Sequence, residues 1–168
     1  MSGAGRSVFV LGYGNPGRQD DGLGLSMAET IQSLGLSFVT TDAAFQLNIE
    51  EAETISGYDV VIFVDASVDA PEPFSFERLA PAGEVTFTSH SVSPGSIMKL
   101  AADHFGPAPE AYVMAIRGYS FEFEEGLTEP AQRNLEAALT FLSDFLSRRS
   151  RESVREDFDP RLESAGVK

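Results

Sequence analysis

Asp65 at the end of VVIFVDA, His90 at the end of EVTFTSH and the Asp20-Asp21 pair after the glycine loop GYGNPG are the side chains of this chain whose types and positions suit shared chemistry. Each lies just past a hydrophobic stretch that reads as a strand, and open parallel sheets gather their ligands at the carboxyl edge of the strands. Two carboxylates and one imidazole form a borderline-hard donor set compatible with nickel, zinc or iron. Three protein ligands would leave a position open for substrate or water. Taken singly, most of these residues have a plainer explanation. An aspartate in a first helical turn complements the helix dipole, and a lone histidine after a strand is commonly a hydrogen-bonded loop residue. Asp65 is harder to explain that way, because a charge directly after buried apolar residues must stay exposed at the strand tip or find a partner. His104 has a spacing that suits a half-exposed helix position and is left out of the ligand set.

A second motif competes for the same loop. Gly12, Gly14 and Gly17 form a literal GxGxxG, followed by a helical pattern and then by Asp42, where a dinucleotide-binding domain places its ribose-binding acid. Asn15 and Pro16 point instead to an extended loop, and the carboxylates of Asp20 and Asp21 would oppose a pyrophosphate at the helix start. The chain has no cysteine, no GxSxG elbow and no HExxH helix, which leaves thiol, serine and zincin hydrolysis unsupported.

The elements that must position these residues follow from periodicity. Ser7 to Gly12 reads as a buried strand, and Leu23, Met27, Ile31 and Leu34 recur at helical spacing. Phe38 to Asp42 suggests a second strand, and the acidic segment from Gln46 to Ile55 suggests a short helix or a covering loop. Val60 to Val64 is continuously apolar and β-branched, as expected of a central parallel strand covered on both faces. A loop containing Pro71, Pro73 and Pro81 follows, and then a strand over Val85 to Ser89. Ser93-Pro94 supplies a cap and first-turn proline for a helix through Met98, Ala101 and Phe105. Tyr112 to Ile116 reads as a fifth strand. Thr128 would cap a last helix with the seam Leu135, Leu139, Leu142 and Phe145. This alternation predicts an α/β fold, a three-layer sandwich with a mostly parallel central sheet flanked by helices. A single domain over 1–146 would be followed by a charged, flexible tail over 147–168, with a basic docking arm as the alternative.

The 168 residues, 42% of them hydrophobic, suffice for one domain with a real core. The absence of cysteine fits a cytoplasmic protein. The apolar run near the N-terminus is too short for a signal segment or membrane span. The net charge is −14, and residues 148–168 carry half of the Lys and Arg but under a fifth of the Asp and Glu, so the body is more acidic still. Such a surface repels phosphate backbones, which argues against nucleic acid and anionic membrane and favours metal cations or a basic polypeptide segment.

The motifs GYGNPGRQDDGLG, VVIFVDA, TSHSVSPG and MAIRGYSFEFEEGLTEPAQRNL together resemble those of the hydrogenase maturation endopeptidases, over about Val8 to Leu146. The resemblance implies a parallel-sheet α/β sandwich and an enzyme that removes the C-terminal peptide of a nickel-iron hydrogenase large-subunit precursor once nickel is in place. It assigns nickel carried by the precursor to Asp21, Asp65 and His90, and adds Asp42 as a further acid near the cleft. Zinc or cadmium would substitute for nickel in the isolated protein, which is expected to be a monomer. Asp21 stands where some members of that family have glutamate, the stretch after Asp42 lacks the glycines common there, and the basic tail has no counterpart. The alternative is a nickel-binding maturation or sensing module that cuts nothing. GNPG also looks like a peptidyl-tRNA hydrolase loop, but that family needs a following histidine and a positive surface, and here Asp20 and Asp21 follow on an acidic body.

Overall fold

The computed structural model of the chain describes residues 6–81, 87–88 and 91–156. The elements run β1 (Val8–Tyr13), a 3-10 turn (Gln19–Gly22), α1 (Leu23–Ser33), β2 (Val39–Ala44), α2 (Glu51–Ser56), β3 (Val60–Ser67), β4 (Phe74–Leu79), β5 (Phe87–Thr88), β6 (Ser91–Val92), α3 (Pro94–His104), β7 (Glu110–Arg117) and α4 (Glu129–Glu156). The main sheet has the order β2-β1-β3-β7-β4, parallel except for the antiparallel edge strand β4. It is the three-layer α/β sandwich that the alternation of periods predicts.

Strand periodicity divides the core in two. Val8 and Val10 of β1 and Ile62 and Val64 of β3 face α1 and α4, where Met27, Ile31, Leu135 and Leu142 cover them. The intervening residues Phe9, Leu11, Val61 and Phe63 face the other way, onto Ile55 of α2 and Ile97 and Met98 of α3. Both faces are therefore dry, which is why β1 and β3 read as unbroken apolar runs. Ser93 caps α3 by accepting the Ser96 N–H at 3.1 Å, as its sequence signature predicts. Thr128 precedes α4 and accepts the Ala131 N–H at 3.4 Å.

Several boundaries differ from the sequence expectation. The proline-bearing stretch read as a loop contains β4, whose Phe74 and Phe76 pack on Phe141 of α4. Leu34 falls after the last turn of α1 and is 46% exposed. Of the strand expected over Val85 to Ser89, the described part is β5, which pairs with β6 in a separate two-stranded sheet. Helix α4 runs on to Glu156, past the predicted start of a flexible tail at 147. Arg149 explains the first of those extra turns, because its guanidinium reaches Glu110 at 2.6 Å and lies over the Phe145 ring at 5.0 Å. Residues 157–168 lie outside the described residues, and no described helix is long and apolar enough to cross a membrane.

Candidate active site

Strand order fixes where a site can form. From β1 the chain crosses through α1 to β2 on one side, while β3 lies on the other side of β1 and the chain runs on from it to β4 at the far edge, beyond β7. Connections leave β1 and β3 in opposite directions, and a crevice opens beyond their carboxyl ends. The ladder between them stops at Gly12 and Val64, whereas β3 stays paired with β7 through Ser67 and Arg117. Asp65 is the next residue of β3. It lies within the strand, opposite Ala115 of β7, and not in a loop past the strand end as the sequence suggests.

Two glycines bring the start of α1 down onto this edge. A Cβ on Gly24 would lie 2.5 Å from the Val64 carbonyl oxygen and 2.6 Å from that of Tyr13, and one on Gly12 would lie 1.9 Å from the Gly24 carbonyl oxygen. Only bare backbone allows the approach. The 3-10 turn that precedes α1 is thereby held over the crevice, with both aspartates of the pair on it.

Those two aspartates do different jobs. Asp20 is fully buried, with 0% exposure, and its carboxylate accepts the N–H groups of Thr128 at 2.8 Å, Tyr119 at 2.8 Å and Ser120 at 3.1 Å. The Thr128 hydroxyl donates a further bond at 2.8 Å. Burial alone would raise its pKa; the Thr128 N–H and the other donors outweigh that and lower it. Asp20 is a clamp that ties the glycine-loop turn to the segment before α4. Asp21 turns the other way. It accepts the Asn15 N–H at 2.8 Å on one oxygen and lines a cleft of about 310 Å³ together with Tyr13, Gly14, Phe45, Asp65 and Val92.

The electrostatics of the cleft are those of a site short of positive charge. Burial pushes the Asp65 carboxyl up to about 7; the Ala66 N–H, donated at 2.8 Å, opposes this, and the Asp21 charge adds to it. Tyr13 is likewise raised, first by burial and then by the Asp65 charge, so its phenol stays protonated as a donor. A cation placed between Asp21 and Asp65 would relieve both penalties at once.

Among the expected site residues, then, Asp21 and Asp65 come together. His90 lies outside the described residues, although Val92, two positions on, lines the cleft. Among the described residues no third acid or histidine completes a group with the two aspartates. Asp42 sits exposed on β2, bonded to its own neighbour's N–H at 2.8 Å, and is not among the cleft-lining residues. Tyr13 and Phe45, which the sequence does not mark as site residues, join Asp21 and Asp65 in the cleft lining. A tyrosine ending a strand and a phenylalanine after one carry no local signal that distinguishes them from core residues.

No protein-family model matches the sequence, and no curated protein matches it. Solved structures do. The hydrogenase maturating endopeptidase HybD from E. coli superposes with a TM-score of 0.67 at 20% identity, over 84% of this chain and 93% of that one. The [NiFe] hydrogenase maturation protease HycI from Thermococcus kodakarensis gives 0.67 at 20% identity, over 86% and 94%. A hydrogenase 2 maturation peptidase from a Thaumarchaeota archaeon gives 0.62 at 20% identity, over 84% and 99%. This chain has the fold of those proteases along nearly their whole length.

Proposed function

We propose that this protein is a cytoplasmic endopeptidase that removes the C-terminal peptide of a nickel-iron hydrogenase large-subunit precursor after nickel insertion. The observation that carries this reading is the meeting of Asp21 and Asp65 in one cleft at the switch point of the sheet, where burial and mutual repulsion favour a cation. The fold shared with named maturation proteases and the motif around His90 support it.

In this reading nickel arrives as part of the substrate. Asp21, Asp65 and His90 take up the precursor's metal and so bring the adjacent peptide bond into the cleft. The metal then supplies Lewis acidity, either polarising the scissile carbonyl or lowering the pKa of an attacking water. Tyr13, protonated beside Asp65, would donate a hydrogen bond to an oxygen that gains charge. An unfilled precursor lacks the cation that the acid pair needs, which makes nickel the signal of readiness.

The test is the intact mass of nickel-loaded precursor before and after incubation with the protein. The expected outcome is loss of one defined C-terminal peptide, absent with nickel-free precursor, and at least a hundredfold slower with Asp65→Asn, Asp21→Asn or His90→Ala. Unchanged precursor mass, with metal still bound by the protein, would instead identify a nickel-binding module.

A further inference from the structure

Next to the cleft of the acid pair lies a second hollow of about 220 Å³, lined by Gly14, Leu25, Ala43, Ala44 and Phe45. No charged side chain is among these residues, so the hollow contrasts sharply with its neighbour. The two hollows share Gly14 and Phe45 in their linings, so a polypeptide seated in the acid cleft has the second hollow as its immediate neighbour. Its walls are fixed. Ala43 and Ala44 belong to β2, Leu25 to the second half-turn of α1, and the Gly14 N–H donates to the Ala44 carbonyl at 3.0 Å, which locks the glycine loop to the end of β2. Phe45 is 73% exposed, an aromatic ring left uncovered at the rim of a cleft. Exposed apolar surface continuous with a polar cleft is typical of binding sites, where apolar walls grip a side chain and few polar groups fix orientation.

We propose that this hollow is a specificity subsite that receives one bulky apolar side chain of the substrate polypeptide, within a few residues of the cleaved bond. This rests on the peptidase reading for the identity of the polypeptide. The small side chain of Ala43, paired in register with Gly12 and so on the α1 face of the sheet, leaves the space; Leu25 and Phe45 supply the apolar contact, and the shared Gly14 and Phe45 keep the hollow next to the cleft of Asp21 and Asp65. An aspartate or lysine in that position of the substrate would lose its hydration without gaining a partner.

The experiment measures both binding and processing of the nickel-loaded large-subunit precursor, with fluorescence titration for the first and intact mass for the second. Ala43→Leu fills the hollow from β2, and Leu25→Phe fills it from α1, so that the second decides if the first does not fold. Either filled variant, with an unchanged melting temperature, is expected to weaken precursor binding and slow processing at least tenfold. One precursor in which a bulky apolar residue near the cleaved bond is shortened to alanine should restore binding by the filled variant to within threefold of the wild type. Filled variants that bind every precursor as the wild type does would overturn the subsite, and so would a loss that no shortened precursor relieves. If the wild type binds precursor but never shortens it, the peptidase reading fails while the affinity comparison still decides the subsite. If it does not bind precursor at all, both fall.

Discussion

Asp20 and Asp65 are two aspartates in the same small region whose environments push them in opposite directions, and that difference has a measurable sign. Asp20 is held ionised by four donors, so its folded pKa is lowered and it contributes stability above its unfolded value near 3.8 that is lost as pH falls. Asp65 is the reverse. With a folded pKa raised from 3.8 to about 7, the native state holds a proton that the unfolded state releases, so stability declines as pH rises through that window. We therefore expect Asp20→Asn to destabilise the protein by about 2 to 4 kcal/mol at pH 8 through mispaired buried donors, with the deficit shrinking in acid. Asp65→Asn should stabilise the metal-free protein by about 1 to 3 kcal/mol at pH 8 and by little near pH 4. Urea melts of the two variants across that range check both signs; equal behaviour would mean that the division of labour is wrong. The sequence shows the pair Asp20-Asp21 but not which member does which job. Neighbouring aspartates look alike until one is seen to bond to residues about a hundred positions away.

At the scale of elements, the site depends on how closely α1 descends onto β1 and β3. Gly24→Ala places a methyl group against the backbone oxygens of Val64 and Tyr13, which cannot swing aside as a side chain would. We expect a loss of about 3 kcal/mol or more. Gly57→Ala is the comparison, since its Cβ would meet nothing nearer than 3.6 Å and its φ is −82°, and it should change stability by about 0.5 kcal/mol or less. Similar midpoints for the two variants in chemical denaturation would remove the argument for a backbone-to-backbone seam. The elements around this seam were legible because both faces of β1 and β3 are dry and α1 and α3 carry clear helical periods. Strand β4 was not. Its FSFERL is short and flanked by prolines, and its reason to be a strand is Phe76 stacked on Tyr112 and set edge-on to Phe141 and Phe145, rings far along the chain. The continuation of α4 was hidden in the same way, since Arg149 reads as part of a solvated charged end until Glu110 and Phe145 are brought beside it.

At the scale of the whole molecule the dominant property is charge. A net −14 on 168 residues produces a field that extends over the surface and that the acid cleft deepens locally. A partner that offers a metal and a basic peptide segment is drawn toward such a surface, and the acceleration resides mainly in the association rate, where it is screened by salt. The apolar hollow that Phe45 lines contributes differently, because desolvation of a side chain slows departure and responds weakly to ionic strength. Stopped-flow binding of nickel-loaded precursor should therefore show an association rate that falls about tenfold between 50 and 500 mM salt, with a dissociation rate changed by less than about threefold. Ala43→Leu should do the opposite, raising the dissociation rate while leaving the salt dependence of association intact. An association rate indifferent to salt would mean that the acidic surface serves solubility alone and that recognition resides entirely in the cleft and its apolar neighbour.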